Sequence, residues 1–131
     1  MICEILARMK RDGTPSRAEA TEGVDQRLMA TLHAYPGLRL VAVPAQFLRL
    51  PEAAAAGDGA RVLRGGHLPE LDASAGEFFD AVADLWRGAG CTVEQHSGLD
   101  GRLVIVRDPA GYLLTLSAYG EDDPILIVAS P

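Results

Sequence analysis

Two stretches near the C-terminus are apolar at every position rather than at every other one. In "RLVIVR", residues 102–107, Leu103 and Ile105 project to one side of an extended chain, and Val104 and Val106 to the other. "PILIVAS", residues 124–130, repeats the pattern with Ile125 and Ile127 against Leu126 and Val128. Strands that are apolar on both faces are buried on both. The fold must therefore contain a sheet covered twice. A chain of 131 residues with 48% hydrophobic and 23% charged residues is ordinary for one globular domain. A chain of that length buries about two-thirds of its unfolded surface.

The segments leading to these strands set the rest of the plan. Ser74 stands three residues before Glu77, a capping-box spacing, and "FFDAVADLWRGAG" follows. Phe78, Val82, Leu85 and Ala89 fall on one helical stripe, with Phe79 and Trp86 beside it, and Gly88 or Gly90 ends the helix. Next come "CTVEQHS", "RLVIVRD", "GYLLTLSAY" and "PILIVAS", separated by Gly98–Gly101, Asp108–Gly111 and Gly120–Asp123. Connections this short join antiparallel strands. Asp108-Pro109-Ala110-Gly111 is turn chemistry: Pro presets φ and Gly accepts a positive φ at the last position. The fold class is α+β: an antiparallel meander of four or more strands packed against one helix from the C-terminal half, with an N-terminal helix in addition.

That N-terminal helix opens at a second capping box, Ser16 and Glu19, and presents Val24, Leu28, Leu32 and Tyr35 on one face before Pro36-Gly37 stops it. Gly23 weakens it by about 1 kcal/mol relative to Ala. With the C-terminal helix on one side of the sheet, this helix is the expected cover for the other side, in preference to a dimer partner. Residues 1–15 carry helical spacing (Ile2, Ile5, Leu6, Met9) in a segment short enough to fray. Residues 38–50 read as extended chain broken at Pro44, which belongs at a sheet edge or in a loop. Residues 51–70, rich in Gly and Ala, read as a connecting loop with room for a short strand at Arg61–Leu63. The whole of 1–131 forms a single domain.

Net charge is −6. Residues 71–131 hold three basic and ten acidic groups, so the acidity lies in the C-terminal half. Such a surface repels phosphate backbones, which argues against nucleic-acid binding. No window approaches the ~20 apolar residues of a membrane span. Glu4 and Arg8 interrupt what would be the apolar core of a signal peptide, so the chain as written reads as cytoplasmic, and secretion would require a start further upstream. Cys3 and Cys91 are too few for a metal cluster, and whether they pair is open.

Chemistry-bearing residues are scattered. His33 lies at a helix boundary and His67 follows Gly65-Gly66 in the loop. Glu94 and His96 alternate on one strand face and are weak metal candidates without a third ligand. Ser74 is committed to capping, and Ser97 and Ser117 lie in strands without a nucleophile elbow. Cys91 and His96 project to opposite strand faces. Phosphate-loop spacing is missing around Gly57-Asp58-Gly59 and Gly65-Gly66. No catalytic residue, metal or cofactor is therefore assigned. Trp86, His96, Tyr112 and Tyr119 are the binding candidates, and Trp86 and Tyr112 either line a pocket or fill the core.

Two resemblances bear on function. Residues 83–119, with the helix ending in "AG" and the "DPAG" turn before a strand, resemble the second half of a module of the vicinal oxygen chelate family, which includes glyoxalases and bleomycin-resistance proteins. That resemblance implies a small-ligand-binding protein or metalloenzyme acting as a dimer. The strand that carries a Glu ligand in the family's metalloenzymes has Thr115 at the aligned place. Ser16–Pro36, Asp72–Gly90, Gly111–Leu116 and Ser130-Pro131 resemble small uncharacterised actinobacterial α+β proteins, many of them secreted or lipid-anchored. This second resemblance covers more of the chain. The lack of a convergent catalytic set, beside a well-specified sheet and a strongly acidic C-terminal half, favours a non-catalytic interaction domain. An inhibitor or immunity-type protein, binding a protein partner or itself, fits that description.

Overall fold

The computed structural model describes residues 16–35, 37–51, 54, 62–71, 75–98, 101–120 and 122–131. In chain order these form α1 (Arg17–Leu32), β1 (Val41–Ala42), β2 (Leu63–His67), α2 (Ala75–Gly88), β3 (Thr92–Gly98), β4 (Gly101–Arg107), β5 (Leu113–Tyr119) and β6 (Ile125–Ala129). A 3₁₀ turn, Ala45–Phe47, follows β1. The six strands make one sheet, ordered β1-β2-β6-β5-β4-β3, with every neighbouring pair antiparallel. The α+β class and the meander β3–β4–β5–β6 are as the sequence pattern predicts.

Local chemistry explains the elements. Ser16 Oγ accepts from the Glu19 backbone N–H at 3.2 Å, and the Glu19 carboxylate accepts from the Ser16 N–H at 3.1 Å. These two bonds satisfy donors that the first turn of α1 would leave unpaired. The Ser16 backbone N–H, and after it the Ser16 side chain, lowers the Glu19 carboxyl from its ordinary value. Between β4 and β5 the Gly111 N–H donates to the Asp108 carbonyl at 3.0 Å. Gly111 adopts φ +92°, as the turn requires. Ser74 and residues 1–15 lie outside the described residues, and with them the Ser74–Glu77 capping box, Cys3 and the first helical segment. Cys91 is buried in the core.

The structure departs from expectation in two linked ways. Residues 51–70 are not loop throughout: β2 begins at Leu63 and pairs with β1 on one side and β6 on the other. Gly65 and Gly66, read as loop punctuation, lie inside this strand. A Cβ on Gly65 would come within 2.8 Å of Ile127 Cα, and one on Gly66 within 2.8 Å of the Val41 carbonyl carbon. Glycine here permits close backbone approach rather than a turn. His67 is accordingly a strand residue.

The second departure concerns the helices. Val24 and Leu28 of α1 share one buried cluster with Phe78, Phe79, Val82 and Trp86 of α2. Both helices therefore cover the same face, over Val104, Val106, Leu114, Leu116, Leu126 and Val128. Width accounts for this. A helix is roughly 10 Å across and strands are spaced about 4.8 Å apart, so one helix covers about two strands. Four strands already leave room beside α2 on one face, and β2 adds a strand on that side: α2 packs on β3 and β4, and α1 on β2 and β6. The opposite face, with Leu103, Ile105, Leu113 and Ala129, is also buried, and Leu50, Ala54 and Leu63 pack there. The requirement for two covers stands, but α1 is not the second one.

Two stability measurements test this packing. Trp86 is 2% exposed, so Trp86→Ala is expected to lose about 3–5 kcal/mol in denaturant unfolding. Gly23→Ala tests a sign. Helix propensity alone predicts a gain of about 1 kcal/mol, but a Cβ there would meet the Tyr112 ring, with Cζ at 2.7 Å and Cε2 at 2.9 Å. The expected result is a net loss of about 1–3 kcal/mol. A more stable Gly23→Ala protein would show that Tyr112 does not pack on α1.

Candidate interaction surface

Of the residues singled out from sequence, Trp86 and Tyr112 belong to the interior. With Arg27, Val106, Asp108 and Leu114 they border a cavity of only about 10 Å³, room for one water at most. The core between them is filled. Trp86 Nε1 donates to Thr31 Oγ1 at 3.1 Å, and that hydroxyl donates to the Arg27 carbonyl at 2.7 Å, so α2 is tied to α1 by a polar link inside an apolar layer.

Beside this link sits a buried ion pair that the sequence pattern does not disclose. Arg27 Nε donates to Asp108 Oδ2, both side chains being 3% exposed. Arg27 Nη1 donates to the Gly23 carbonyl at 3.0 Å. The guanidinium carbon stands 3.7 Å from the Tyr112 ring centroid, a cation–π contact. Asp108 Oδ1 accepts from the backbone N–H of Ala110 and of Tyr112, each at 2.9 Å. Burial pushes the Tyr112 phenol above its ordinary pKa; Arg27 pulls it down, and Asp108 and Glu19 push it up. The phenol therefore stays protonated at neutral pH. No signal in a single sequence links Arg27 to a residue 81 positions away, although an arginine on the buried stripe of a helix is itself an anomaly that asks for a partner.

The remaining candidates are at the surface. Tyr119, at the end of β5, is half-exposed. His96 Nε2 lies 3.4 Å from Glu94 Oε2 on β3, and Arg107 Nη1 of β4 donates to Glu94 Oε1 at 3.0 Å. Among the described residues, no group of three His, Cys, Asp or Glu side chains is placed to hold a metal ion. Thr115 is fully buried on the far face of the sheet, and its Oγ1 has no partner among the described residues. His96 and Tyr119 thus stand apart from Trp86 and Tyr112, and the four do not converge on one site.

The edge of the sheet on which Glu94 and His96 lie is the notable surface. In β3 only Val93 is partly buried, packing against the core, while Thr92, Glu94, Gln95, His96, Ser97 and Gly98 are exposed. Its seven residues pair in unbroken register with β4, from Thr92↔Arg107 to Gly98↔Gly101. In an antiparallel ladder, alternate residues turn their N–H and C=O groups away from the partner strand. Because β3 ends the sheet, those groups have no strand partner among the described residues. A separate groove of about 390 Å³ runs between α1 and β1–β2, with Leu28, Leu40 and Val43 lining it beside Arg17, Asp25 and Arg64. An exposed Asp25–Arg64 ion pair of 3.4 Å joins α1 to β2 there.

No family model matches this chain, and no curated protein and no solved structure matches it either. No helix among the described residues is long and apolar enough to cross a membrane.

The buried pair can be measured through a thermodynamic cycle. Arg27→Met should lose about 3–5 kcal/mol, because it leaves a buried carboxylate without its counter-charge. Arg27→Met combined with Asp108→Asn should lose at least ~1 kcal/mol less than the sum of the two single changes. Losses that add within about 0.5 kcal/mol would show the two side chains to be independent.

Proposed function

We propose that this chain is a non-catalytic interaction domain that receives an extended protein segment along the outer edge of β3. The contrast between the two edges of the sheet supports this reading. At one edge, β1 has only two residues; Val43 N–H adds a single bond to the Gly65 carbonyl, and Pro44 then ends the pairing because it has no N–H to give. That edge is blunted in the manner by which open sheets avoid unwanted strand addition. At the other edge, β3 carries neither Pro nor Lys and no bulge, and it offers seven residues in regular register.

Strand addition draws affinity from main-chain hydrogen bonds and specificity from alternate side chains. On β3 the side chains available for selection are Glu94 and His96 on one face and Gln95 and Ser97 on the other. Glu94 and His96 offer an acceptor and a donor two residues apart, so a segment with the complementary order is favoured. Val93, held by the core, keeps the strand in place before a partner arrives. A rigid, preformed edge of this kind suits an inhibitor or immunity-type protein that binds by strand addition.

Binding experiments with two variants test the proposal. Gln95→Lys combined with Ser97→Lys places charges along the edge without touching the core. Proteins retained by the immobilised wild-type chain should bind this variant about tenfold more weakly, or worse, equivalent to ~1.4 kcal/mol. Unchanged retention, together with loss on substituting Leu40 and Val43 in the groove beside α1, would move the site to that groove.

A further inference from the structure

We infer that the segment received by β3 is the β3 of a second copy, paired antiparallel about a two-fold axis at Gln95. The inference rests on the edge reading above and adds an occupant to it. Geometry restricts the register first. Residues opposite each other in an antiparallel ladder point to the same face, and outward-facing backbone groups must meet outward-facing ones. Even-numbered residues of β3 must therefore face even-numbered ones, and odd-numbered face odd.

Three registers satisfy that condition near the strand centre, and side chains choose among them. An axis at Glu94 places two carboxylates opposite each other. An axis at His96 places two imidazoles opposite each other. An axis at Gln95 aligns all seven residues and sets Glu94 against the partner's His96 twice, once for each copy. Two carboxylates directly opposite are destabilising, whereas an imidazole N–H opposite a carboxylate can donate to it. On the other face Gln95 meets the partner's Gln95, whose amide is both donor and acceptor, and Val93 meets the partner's Ser97. The strand "TVEQHSG" is thus self-complementary in one register and not in its neighbours.

The row across the junction then reads Ile105, Glu94, the partner's His96 and the partner's Leu103, following the pairings Glu94↔Ile105 and His96↔Leu103 within each copy. Arg107, 3.0 Å from Glu94, flanks the carboxylate from within its own chain. A two-fold axis perpendicular to the sheet keeps both helices of each copy on the same side, so the two sheets continue as one. An interface made by one strand from each copy is small, and weak, concentration-dependent association is expected.

A charge-exchange experiment reads this register directly. Sedimentation equilibrium of the wild-type chain should show reversible dimer formation. Glu94→Lys sets an ammonium against the partner's His96, and His96→Glu sets a second carboxylate against the partner's Glu94. Each variant alone should dimerise about tenfold more weakly, or worse. An equimolar mixture of the two should regain dimer. In the mixed pair the introduced lysine of one chain faces the introduced glutamate of the other, while the native His96 of the first faces the native Glu94 of the second. In the wild-type chain, amide exchange at β3 should slow as concentration rises, which provides a readout independent of any variant. Dimers indifferent to both substitutions, or variants that do not rescue each other, would overturn the register. A wild-type chain that stays monomeric to about 1 mM, with β3 exchange independent of concentration, would overturn self-pairing. Strand addition by a different protein would then still be decided by the retention experiment with the Gln95 and Ser97 variant.

Discussion

The ion pair between Arg27 and Asp108 is the joint on which the rest of the structure turns. One oxygen of Asp108 takes the guanidinium from α1, and the other takes two backbone N–H groups from the turn between β4 and β5. A single carboxylate therefore closes the central hairpin and also fixes where α1 lies on the sheet. Arg27 is held in return by the Gly23 carbonyl and the Tyr112 ring. Gly23 is what lets that ring approach the helix, so a residue that weakens α1 locally strengthens its docking. Buried ion pairs of this kind contribute little net stability against an apolar replacement, but they are costly to break by halves. Here the pair fixes position: it pins α1 beside α2 and leaves the far face of the sheet to other residues.

That arrangement shows which parts of the fold a single sequence can disclose. The hairpin turn, both helices and the last four strands have local signatures, because caps, turn residues and apolar periodicity act over a few positions. The demand for two covers is equally legible, since "RLVIVR" is apolar on both faces. Which element supplies each cover is not legible, because that depends on contacts between distant residues. Gly65 and Gly66 hide β2 for a related reason. Glycine marks a turn when φ must be positive, and it marks close backbone approach when a neighbouring strand leaves no room for Cβ. Sequence alone does not separate the two uses. With β2 read as loop, one of the two strands on which α1 rests is missing, and nothing local then assigns α1 to the face that α2 covers.

The surface is less legible still, and unevenly so. Trp86 and Tyr112 draw notice as large aromatic residues, yet both fill the core. Glu94 and His96 draw notice as ligands for a metal, and their alternation on one strand face is plain from the sequence. What the alternation does not reveal is which end of the meander stays open. A four-strand meander has two edges, β3 and β6, and the long-range pairing of β2 beside β6 leaves β3 as the outer one. Under the proposed strand addition, the same two residues become a recognition pair because the strand is an outer one.

Edge position alone would not make β3 a binding element, since every open sheet has two edges. The energetic difference lies in what has been settled before any partner arrives. β3 is held along its full length by β4 and from above by α2, and Val93 anchors it to the core. Its backbone is ordered at no further entropic cost, which for a free peptide would be about 1–2 kcal/mol per residue. Each hydrogen bond gained on pairing is worth only about 0.5–1.5 kcal/mol net of lost water contacts. A segment that must order itself to bind therefore gains almost nothing from the ladder alone. A segment that is already a strand keeps the gain. Self-pairing satisfies that condition on both sides at once, because the arriving strand is held by its own β4 and α2, whereas a disordered tail would need strong side-chain contacts to offset its ordering. If β3 pairs as proposed, the edge discriminates by preorganisation before it discriminates by sequence, and the Glu94–His96 pair then sets the register.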